Sequence, residues 1–388
     1  MERISNSTLV SLMESLSSTL VSENIGLYLH VPFCKRRCTY CDFVSFTDFS
    51  QVKEYFEALW KEIELWSKFL PRIHVETIYV GGGSPSDVPF ELLEKTLERI
   101  RDMFLIADDF EFTIEVNPNC EFVERLRFLD VNRVSIGLQA ADDEVLKCVR
   151  RRHSVGDFFR TFETAKNFAK VNVDFIVGLP NESDRTIEND VHVVETLRPD
   201  HVSIYLLETH ESEFETAISE VVENRYERFV EAVKEMGYDR YEISNFALNN
   251  SFCRHNLKYW RNEDYIGLGV AAGGHLGRIR YVNSPRLGEY ISKLKEDDFV
   301  FDYFSRNDDL QELKETIFMG LRLSEGVNIE KLREIWWMFD PYELFHDLLG
   351  EFLEIEDGFL KLTERGFDLS ARVLADVIDR VSLMAVGR

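Results

Sequence analysis

Short apolar runs alternate with longer amphipathic segments along the first 210 residues. The apolar runs predict six strands, over Ile25–Val31, Val75–Val80, Phe110–Val116, Arg133–Leu138, Val171–Val177 and His201–Leu207. Helical spacing of apolar residues predicts the helices between them, over Val52–Phe69, Glu91–Phe104, Asp142–Val149, Val155–Ala169 and Thr186–Leu197. Strands that alternate with helices predict parallel strands joined by crossovers. We therefore expect an α/β fold with a partial (β/α)6 barrel, whose chemistry would lie at the carboxyl ends of its strands.

The regular alternation of predicted strands and helices ends after Glu211. A helix is predicted over Ser219–Met236, and a polar and aromatic stretch follows from Tyr241 to Asn283. Further on come three helices and two short strands about Asp357-Gly358, then a helix from Thr363, a pattern typical of a winged-helix-like module. The sequence thus predicts four parts: an N-terminal extension (1–24), the partial barrel (25–210), a barrel-covering segment (211–306), and a mostly helical, winged-helix-like C-terminal domain (307–388).

Composition narrows the class of protein. The chain has 388 residues, 45% of them apolar and 30% charged, as in ordinary soluble globular proteins. Its 45 basic and 70 acidic residues give a net charge of −25, which disfavours a general nucleic-acid binder but leaves room for a local basic pocket. It has no apolar run of the length that a membrane span needs. The segment Met1–Asn24 does not resemble a signal peptide, so we expect a cytoplasmic protein.

Three of the six cysteines lie on one short loop after the first predicted strand. Cys34, Cys38 and Cys41 have the spacing C-x3-C-x2-C. Three thiolates on one loop can hold three corners of an iron–sulfur cube and leave the fourth iron open to a small ligand. We expect the basic residues 35–37 to lower the thiol pKa values. The alternative is a zinc site completed by a distant residue such as His30 or Cys253.

The residues around the triplet resemble a known family. The run from Tyr28 to Phe43, Tyr-x-His-x-Pro-Phe-Cys-x3-Cys-x-Tyr-Cys-Asp-Phe, is similar to the radical SAM superfamily. Within it, the likeness is to the HemN/HemW group of oxygen-independent coproporphyrinogen III dehydrogenases and haem chaperones. The resemblance implies a [4Fe-4S] cluster on Cys34, Cys38 and Cys41, with S-adenosylmethionine (SAM) on the open iron. It further implies reductive cleavage of SAM to methionine and a 5′-deoxyadenosyl radical.

Further motifs extend the resemblance to a SAM site. Gly81-Gly82-Gly83-Ser84-Pro85-Ser86 resembles the family's GGGTPS loop, with Ser84 in place of threonine. Glu115-Val-Asn-Pro, Arg-Val-Ser-Ile-Gly-Leu-Gln139 and Asp174-Phe-Ile-Val-Gly-Leu-Pro match other strand ends of the family. By resemblance, the SAM contacts are Tyr28, Gly82, Gly83, Ser84, Glu115 (ribose hydroxyls), Gln139, Arg151 (carboxylate) and Asp174. Without that context, Glu115 would be a solvated strand-end acid and Tyr28 a core aromatic.

Two features favour the haem-chaperone branch of the group. Phe43 stands where the dehydrogenases usually have a fourth cysteine, and the chain has the HNxxYW motif that the family links to haem. The resemblance implies haem contacts at His255, Asn256, Tyr259 and Trp260. The alternative is that these side chains only pack a loop over the barrel mouth. The sequence departs from the family pattern at one nearby position. Gly273 stands where the family has a histidine, and His275 follows two residues later.

The resemblance also implies partners. We expect haem or a porphyrin as bound cargo, an apo-haemoprotein as acceptor, and an electron donor such as a flavodoxin or ferredoxin. Two alternative functions remain from the sequence: an oxygen-independent coproporphyrinogen III oxidase, and a non-catalytic binding module stabilised by zinc.

Overall fold

The six strands predicted for the first 207 residues form one parallel sheet. The computed structural model describes residues 22–71, 73–207 and 220–384. Consecutive strands pair side by side in the order β1 to β6, and every pair is parallel. The predicted α/β arrangement is confirmed, with bounds β1 Asn24–Val31, β2 His74–Gly82, β3 Leu105–Val116, β4 Arg133–Gln139, β5 Lys170–Val177 and β6 His201–Leu206.

Amphipathic helices cover one face of this sheet. They are α1 Val52–Phe69, α2 Phe90–Met103, α3 Cys120–Leu126, α4 Asp143–Cys148, α5 Val155–Lys166, α6 Asp184–Leu197 and α7 Glu220–Glu235. Alternate strand residues such as Leu27 and Leu29 are at most 1% exposed and join the core with apolar residues of α1. Because side chains alternate across a strand, the residues between them point to the concave face of the sheet. That face carries the polar residues of the site.

The segment predicted to cover the barrel contributes strands to the same sheet. It contains β7 Asp239–Arg240, β8 Asn245–Ala247, α8 Arg254–Trp260, β9 Tyr265–Leu268, β10 Gly273–Leu276, β11 Ile279–Asn283, α9 Leu287–Lys295 and β12 Phe301–Arg306. Strand β9 pairs in parallel with β1 and β8 pairs antiparallel with β6, so the sheet has 12 strands. The sequence did not predict these strands. A Cβ on Gly267 would collide with the carbonyl oxygen of Gly273, so glycines replace the β-branched residues that usually mark a strand.

The C-terminal residues have a hydrophobic core of their own. They form α10 Asp309–Gly320, β13 Val327–Asn328, α11 Ile329–Ile335, α12 Pro341–Leu344, β14 Leu353–Glu356, β15 Phe359–Leu362, α13 Glu364–Asp368 and α14 Ser370–Leu383. Leu313 and Ile317 of α10 pack with Leu374 and Val377 of α14 in this core. The two strands predicted about Asp357-Gly358 are present, and β13 adds a third.

The four-part division stays a prediction. The boundary at 210/211 lies outside the described residues, as does the N-terminal extension up to residue 21. Within the described part of the chain, no helix is long and apolar enough to cross a membrane.

Candidate functional site

The cysteine loop follows the carboxyl end of β1 and is held by backbone hydrogen bonds between its own residues. The Cys34 N–H donates to the Phe46 carbonyl over 3.0 Å, and the Cys41 N–H donates to the Cys38 carbonyl over 3.3 Å. The Arg37 guanidinium donates to the Cys41 carbonyl. All three thiols are half-buried and free of disulfides. The loop thus presents three thiol ligands at the sheet end where we expected the chemistry.

Burial has the largest effect on the pKa values of Cys34 and Cys41. It raises the pKa of Cys34 to about 12 and also raises the pKa of Cys41, although Arg37 favours the Cys41 thiolate. The predicted lowering by a basic neighbour is thus present at Cys41, where it comes from Arg37, but burial outweighs it and the net pKa is raised. Lys35 instead lies 4.0 Å from the Asp87 carboxylate. A bound metal would have to displace the proton of the Cys34 thiol, because its pKa lies well above neutral pH.

The two proposed fourth zinc ligands have other partners. His30 is hydrogen bonded through Nε2 to the Val44 carbonyl (2.8 Å) and through Nδ1 to the Tyr28 hydroxyl (3.0 Å). The Cys253 thiol donates to Glu111 over 3.6 Å and is buried. Among the described residues, no group of three or more His, Cys, Asp or Glu side chains, the cysteine triplet included, is placed to hold a single metal ion. The structure does not support a zinc site completed by either residue.

Each glycine of the Gly81-Gly82-Gly83 triplet is required by a close neighbour. A Cβ on Gly81 would lie 2.7 Å from the Glu115 carboxyl carbon. Gly82 has φ of 101°, and its Cβ would enter the His30 ring. A Cβ on Gly83 would lie 2.7 Å from the Val31 carbonyl oxygen. The triplet therefore packs the end of β2 against the cysteine-bearing end of β1.

Glu115 ends β3 with its carboxylate held on the concave face. The Tyr79 hydroxyl donates to Oε1 over 2.7 Å, and the Gly82 N–H donates to Oε2 over 3.1 Å. Burial raises the pKa of Glu115 to about 7, and the negative charge of Asp174 adds to this shift. Glu115 is therefore a half-buried, hydrogen-bonded group and not a freely solvated strand-end acid.

Gln139 and Arg151 meet at the end of β4. Gln139 has φ of 74°, an uncommon conformation for a residue with a side chain. A Cβ on Gly137 would lie 2.7 Å from the Gln139 side chain and 2.8 Å from Arg151, so only glycine admits both. The Arg151 guanidinium donates to the Gly137 carbonyl and lies 3.8 Å from the Cys38 sulfur. Its Nε is buried without a hydrogen-bond partner among the described residues, as expected for a group awaiting an anionic ligand.

The remaining predicted SAM contacts have different surroundings. Asp174 on β5 accepts from the Ser135 hydroxyl over 2.7 Å, and burial raises its pKa. The Ser84 hydroxyl accepts from the Asn117 amide over 2.8 Å, so it joins the ends of β2 and β3. Tyr28 lies on β1 beside Tyr79, with ring centroids 6.2 Å apart.

A cavity of about 430 Å³ opens beside the cysteine loop. Cationic side chains outnumber acidic ones in its lining, despite the net charge of −25 on the chain. The lining includes Cys38 and the cations Lys35, Arg36, Arg150, Arg151, Arg152 and Arg160. The edge of the cysteine loop is therefore locally basic.

The HNxxYW motif lies at the opposite end of the strands. It forms α8, and residues four apart share a helix face. His255 is fully buried against Gly26 and Thr77, near the amino ends of β1 and β2. Trp260 contacts the segment that follows α10, where the Arg322 guanidinium lies 4.5 Å from its ring centroid. A loop over the barrel mouth is therefore not the arrangement that the structure has.

Both ring nitrogens of His255 are hydrogen bonded. Nδ1 lies 2.7 Å from the Thr77 hydroxyl, and Nε2 lies 2.7 Å from the Tyr259 hydroxyl. Burial lowers the pKa of His255 to about 3, so the imidazole is neutral. Asn256 is half-buried on the next face of α8. A neutral imidazole suits metal ligation, but in this arrangement neither nitrogen is free to ligate.

Gly273, which stands where the family has a histidine, lies on strand β10. Gly273 pairs with Val282, and His275 pairs with Arg280. His275 is 1% exposed and hydrogen bonds through Nδ1 to the Glu263 carbonyl over 3.1 Å. Burial lowers its pKa to about 4. The structure thus makes His275 an interior strand residue.

Sequence reasoning missed two residues of the concave face, Thr77 and Tyr79. Both lie in the apolar run of β2, at alternate positions. Their signal was a polar residue at every second position of an otherwise apolar strand. That signal marks an inward-facing polar row, but it does not say what the row contacts.

Comparison with known proteins agrees with this architecture. A family model described as the Radical SAM superfamily matches residues 28–194, and one described as the HemN C-terminal domain matches residues 307–369. The chain has the fold of "Coproporphyrinogen III oxidase (HemN) from Escherichia coli", with a TM-score of 0.81 and 18% identity, covering 96% of this chain and 93% of that one. Fold and site define a radical SAM protein, a class that holds a [4Fe-4S] cluster and SAM.

Proteins of similar sequence show to which family of radical SAM proteins the chain belongs. The "Heme chaperone HemW" of Mycobacterium tuberculosis (strain H37Rv) is 32% identical over 378 residues, covering 92% of this chain and 94% of its own length. The protein of that name from Bacillus subtilis is 32% identical over 324 residues, covering 79% of this chain and 86% of its own length. The chain belongs to the HemW family within the radical SAM superfamily. The predicted membership of the HemN/HemW group is confirmed.

Proposed function

We propose that this protein binds haem and delivers it to apo-haemoproteins, with a [4Fe-4S] cluster and SAM at the carboxyl ends of the barrel strands. The observation that carries the proposal is the likeness to proteins named heme chaperone, which extends over 92% of the chain. An apo-haemoprotein would be the acceptor. The basic edge of the cysteine loop suits an acidic flavodoxin or ferredoxin as electron donor.

The cofactor roles follow from the positions of the side chains. Cys34, Cys38 and Cys41 would hold the cluster, which together with SAM supplies one-electron chemistry. The Arg151 guanidinium lies 3.8 Å from the Cys38 sulfur, and its Nε has no hydrogen-bond partner in the described part of the chain, so it would pair with the SAM carboxylate. The residues that would contact the rest of SAM are Tyr28, Gly82, Gly83, Ser84, Glu115, Gln139 and Asp174.

We expect SAM binding to strengthen as pH rises from 6 to 8, because Glu115 must be ionised to accept from both ribose hydroxyls. The folded-state pKa of about 7 lies above the ordinary value of 4.5, so the carboxyl is mostly protonated at pH 6. One ionisation across this range predicts roughly a tenfold increase in affinity. Equilibrium dialysis of the reconstituted protein measures this.

Glu115→Gln is the control for this pH dependence. It keeps the shape and removes the ionisation, so its SAM affinity should be weaker and independent of pH. A wild-type affinity that is flat from pH 6 to 8 would contradict the assignment of Glu115.

The haem role is proposed for the HNxxYW motif. The neutral imidazole of His255 would be the iron ligand, and the aromatic faces of Tyr259 and Trp260 would contact the porphyrin beside Asn256. His255 would have to leave Thr77 and Tyr259 to do so, at a cost of about 1 kcal/mol per hydrogen bond.

His255→Ala should weaken haem binding by more than about tenfold, because it removes the axial ligand. A haem titration followed by the Soret band measures this, and transfer to an apo-haemoprotein should fall in parallel. The matched control is His192→Ala on α6, since the His192 side chain is 74% exposed and would report adventitious ligation.

The same preparation tests the alternative function. If wild type leaves haem unbound and instead converts coproporphyrinogen III anaerobically with SAM and reductant, the protein is the oxidase. Phe43, 62% exposed at the position of the fourth cysteine of that branch, supports the chaperone.

A further inference from the structure

A column of side chains connects the HNxxYW motif to Glu115. The His255 imidazole stacks on the Tyr79 ring, with centroids 5.3 Å apart and planes 28° apart. The Tyr79 hydroxyl then donates to Glu115 Oε1 over 2.7 Å. Two direct contacts thus separate the proposed haem ligand from the proposed SAM ligand.

The His255 side chain is tightly packed against its neighbours. It is fully buried, and a Cβ on Gly26 would lie 3.0 Å from its ring. The Thr77 hydroxyl lies 2.7 Å from Nδ1 of the ring, and the Tyr259 hydroxyl lies 2.7 Å from Nε2. A neutral imidazole has one donor and one acceptor, so no lone pair remains for iron while both bonds are made. His255 can therefore support Tyr79 or ligate haem, but not both.

We propose that His255 is a positioning residue for the SAM site, acting through Tyr79 on Glu115, so that haem ligation and SAM binding oppose each other. This inference rests on the proposed haem role of His255. When His255 moves out of this packed position, it leaves a void beside the Tyr79 ring. The Tyr79 hydroxyl, which orients Glu115, is then no longer held in place by packing. Thermodynamic linkage then requires each ligand to weaken the other by the same factor, which we expect to be about tenfold.

The primary test measures both affinities in the anaerobically reconstituted protein. SAM is titrated by equilibrium dialysis with and without saturating haem, and haem is titrated by its Soret band with and without saturating SAM. In wild type we expect the same factor, about tenfold, in both directions. Without haem, His255→Ala should weaken SAM binding, and added haem should have no further effect on it.

Two conservative variants separate positioning from simple loss of structure. Tyr79→Phe keeps the stack and removes the hydroxyl, so SAM binding should weaken while haem binding stays near wild type. Thr77→Val keeps the volume and removes one hydrogen bond to His255, so haem should bind about fivefold tighter and SAM more weakly. The control is Tyr226→Phe, which removes a hydroxyl 3.4 Å from the Ile243 carbonyl, away from this column.

The outcomes distinguish this inference from the proposed function. If haem binding depends on His255 while the SAM affinity is the same with and without haem, the linkage is overturned and the chaperone function stands. If wild type binds no haem, the chaperone function fails. In that case the SAM affinity of His255→Ala still decides the positioning role, and an unchanged affinity overturns it.

Discussion

Cys38→Ala is expected to abolish the iron–sulfur cluster. Three thiolates are the full protein ligand set on this loop, so losing one leaves too few ligands for a cube with one open iron. After anaerobic reconstitution, we expect iron and sulfide to fall below roughly a tenth of the wild-type content, with loss of the visible cluster absorbance. SAM binding should be lost as well, since the open iron is its anchor.

The chain offers a matched control for this experiment. Cys148 is exposed at the end of α4, so Cys148→Ala removes one thiol and leaves the loop intact. It should reconstitute like wild type. If Cys38→Ala retained a full cluster, the ligand assignment of the triplet would be wrong.

Gly83→Ala is expected to destabilise the protein and to disturb the cysteine loop. The added Cβ would lie 2.7 Å from the Val31 carbonyl oxygen and 2.8 Å from the Phe33 nitrogen. These are backbone atoms that cannot rotate away, and Phe33 directly precedes Cys34. We expect the free energy of unfolding to fall by about 2–3 kcal/mol in urea denaturation of the cluster-free protein. Cluster yield should fall too.

Gly288→Ala is the control for this substitution. Gly288 lies in α9, and no heavy atom of the described residues lies within 4 Å of its Cβ position. Because alanine favours a helix over glycine, stability should be unchanged or should rise by up to about 1 kcal/mol. If Gly83→Ala unfolded at the wild-type urea concentration, the close packing of the triplet against β1 would be refuted.

The local elements could be predicted because their signals are local. Helix α1 spans the predicted residues Val52–Phe69, since its apolar residues recur at helical spacing along one continuous segment. Strand β3 begins at Leu105 instead of Phe110, because Asp108 and Asp109 separate its first apolar residues from the run that starts at Phe110. Strands β9 and β10 were not predicted, because glycines stand in them where a side chain would collide: Gly267 with the Gly273 backbone and Gly274 with the Tyr281 ring.

The cysteine spacing and the family motifs could likewise be recognised in the sequence, because each is a short pattern of residues at fixed separations. They determined the class of protein and its cofactors. They did not determine the state of the groups involved: the raised pKa values of Cys34 and Glu115 arise from burial, which depends on every element packed around them.

By itself, the sequence determined the alternating strands and helices, the cysteine triplet and the family. Only the tertiary structure decided that His255 lies beneath Tyr79 at the amino ends of the strands. The physical reason is separation along the chain: Thr77 and His255 are 178 residues apart and meet only because the sheet curves around them. A periodicity or a motif reports on neighbours in sequence, whereas a hydrogen bond across the barrel depends on how all the strands are assembled.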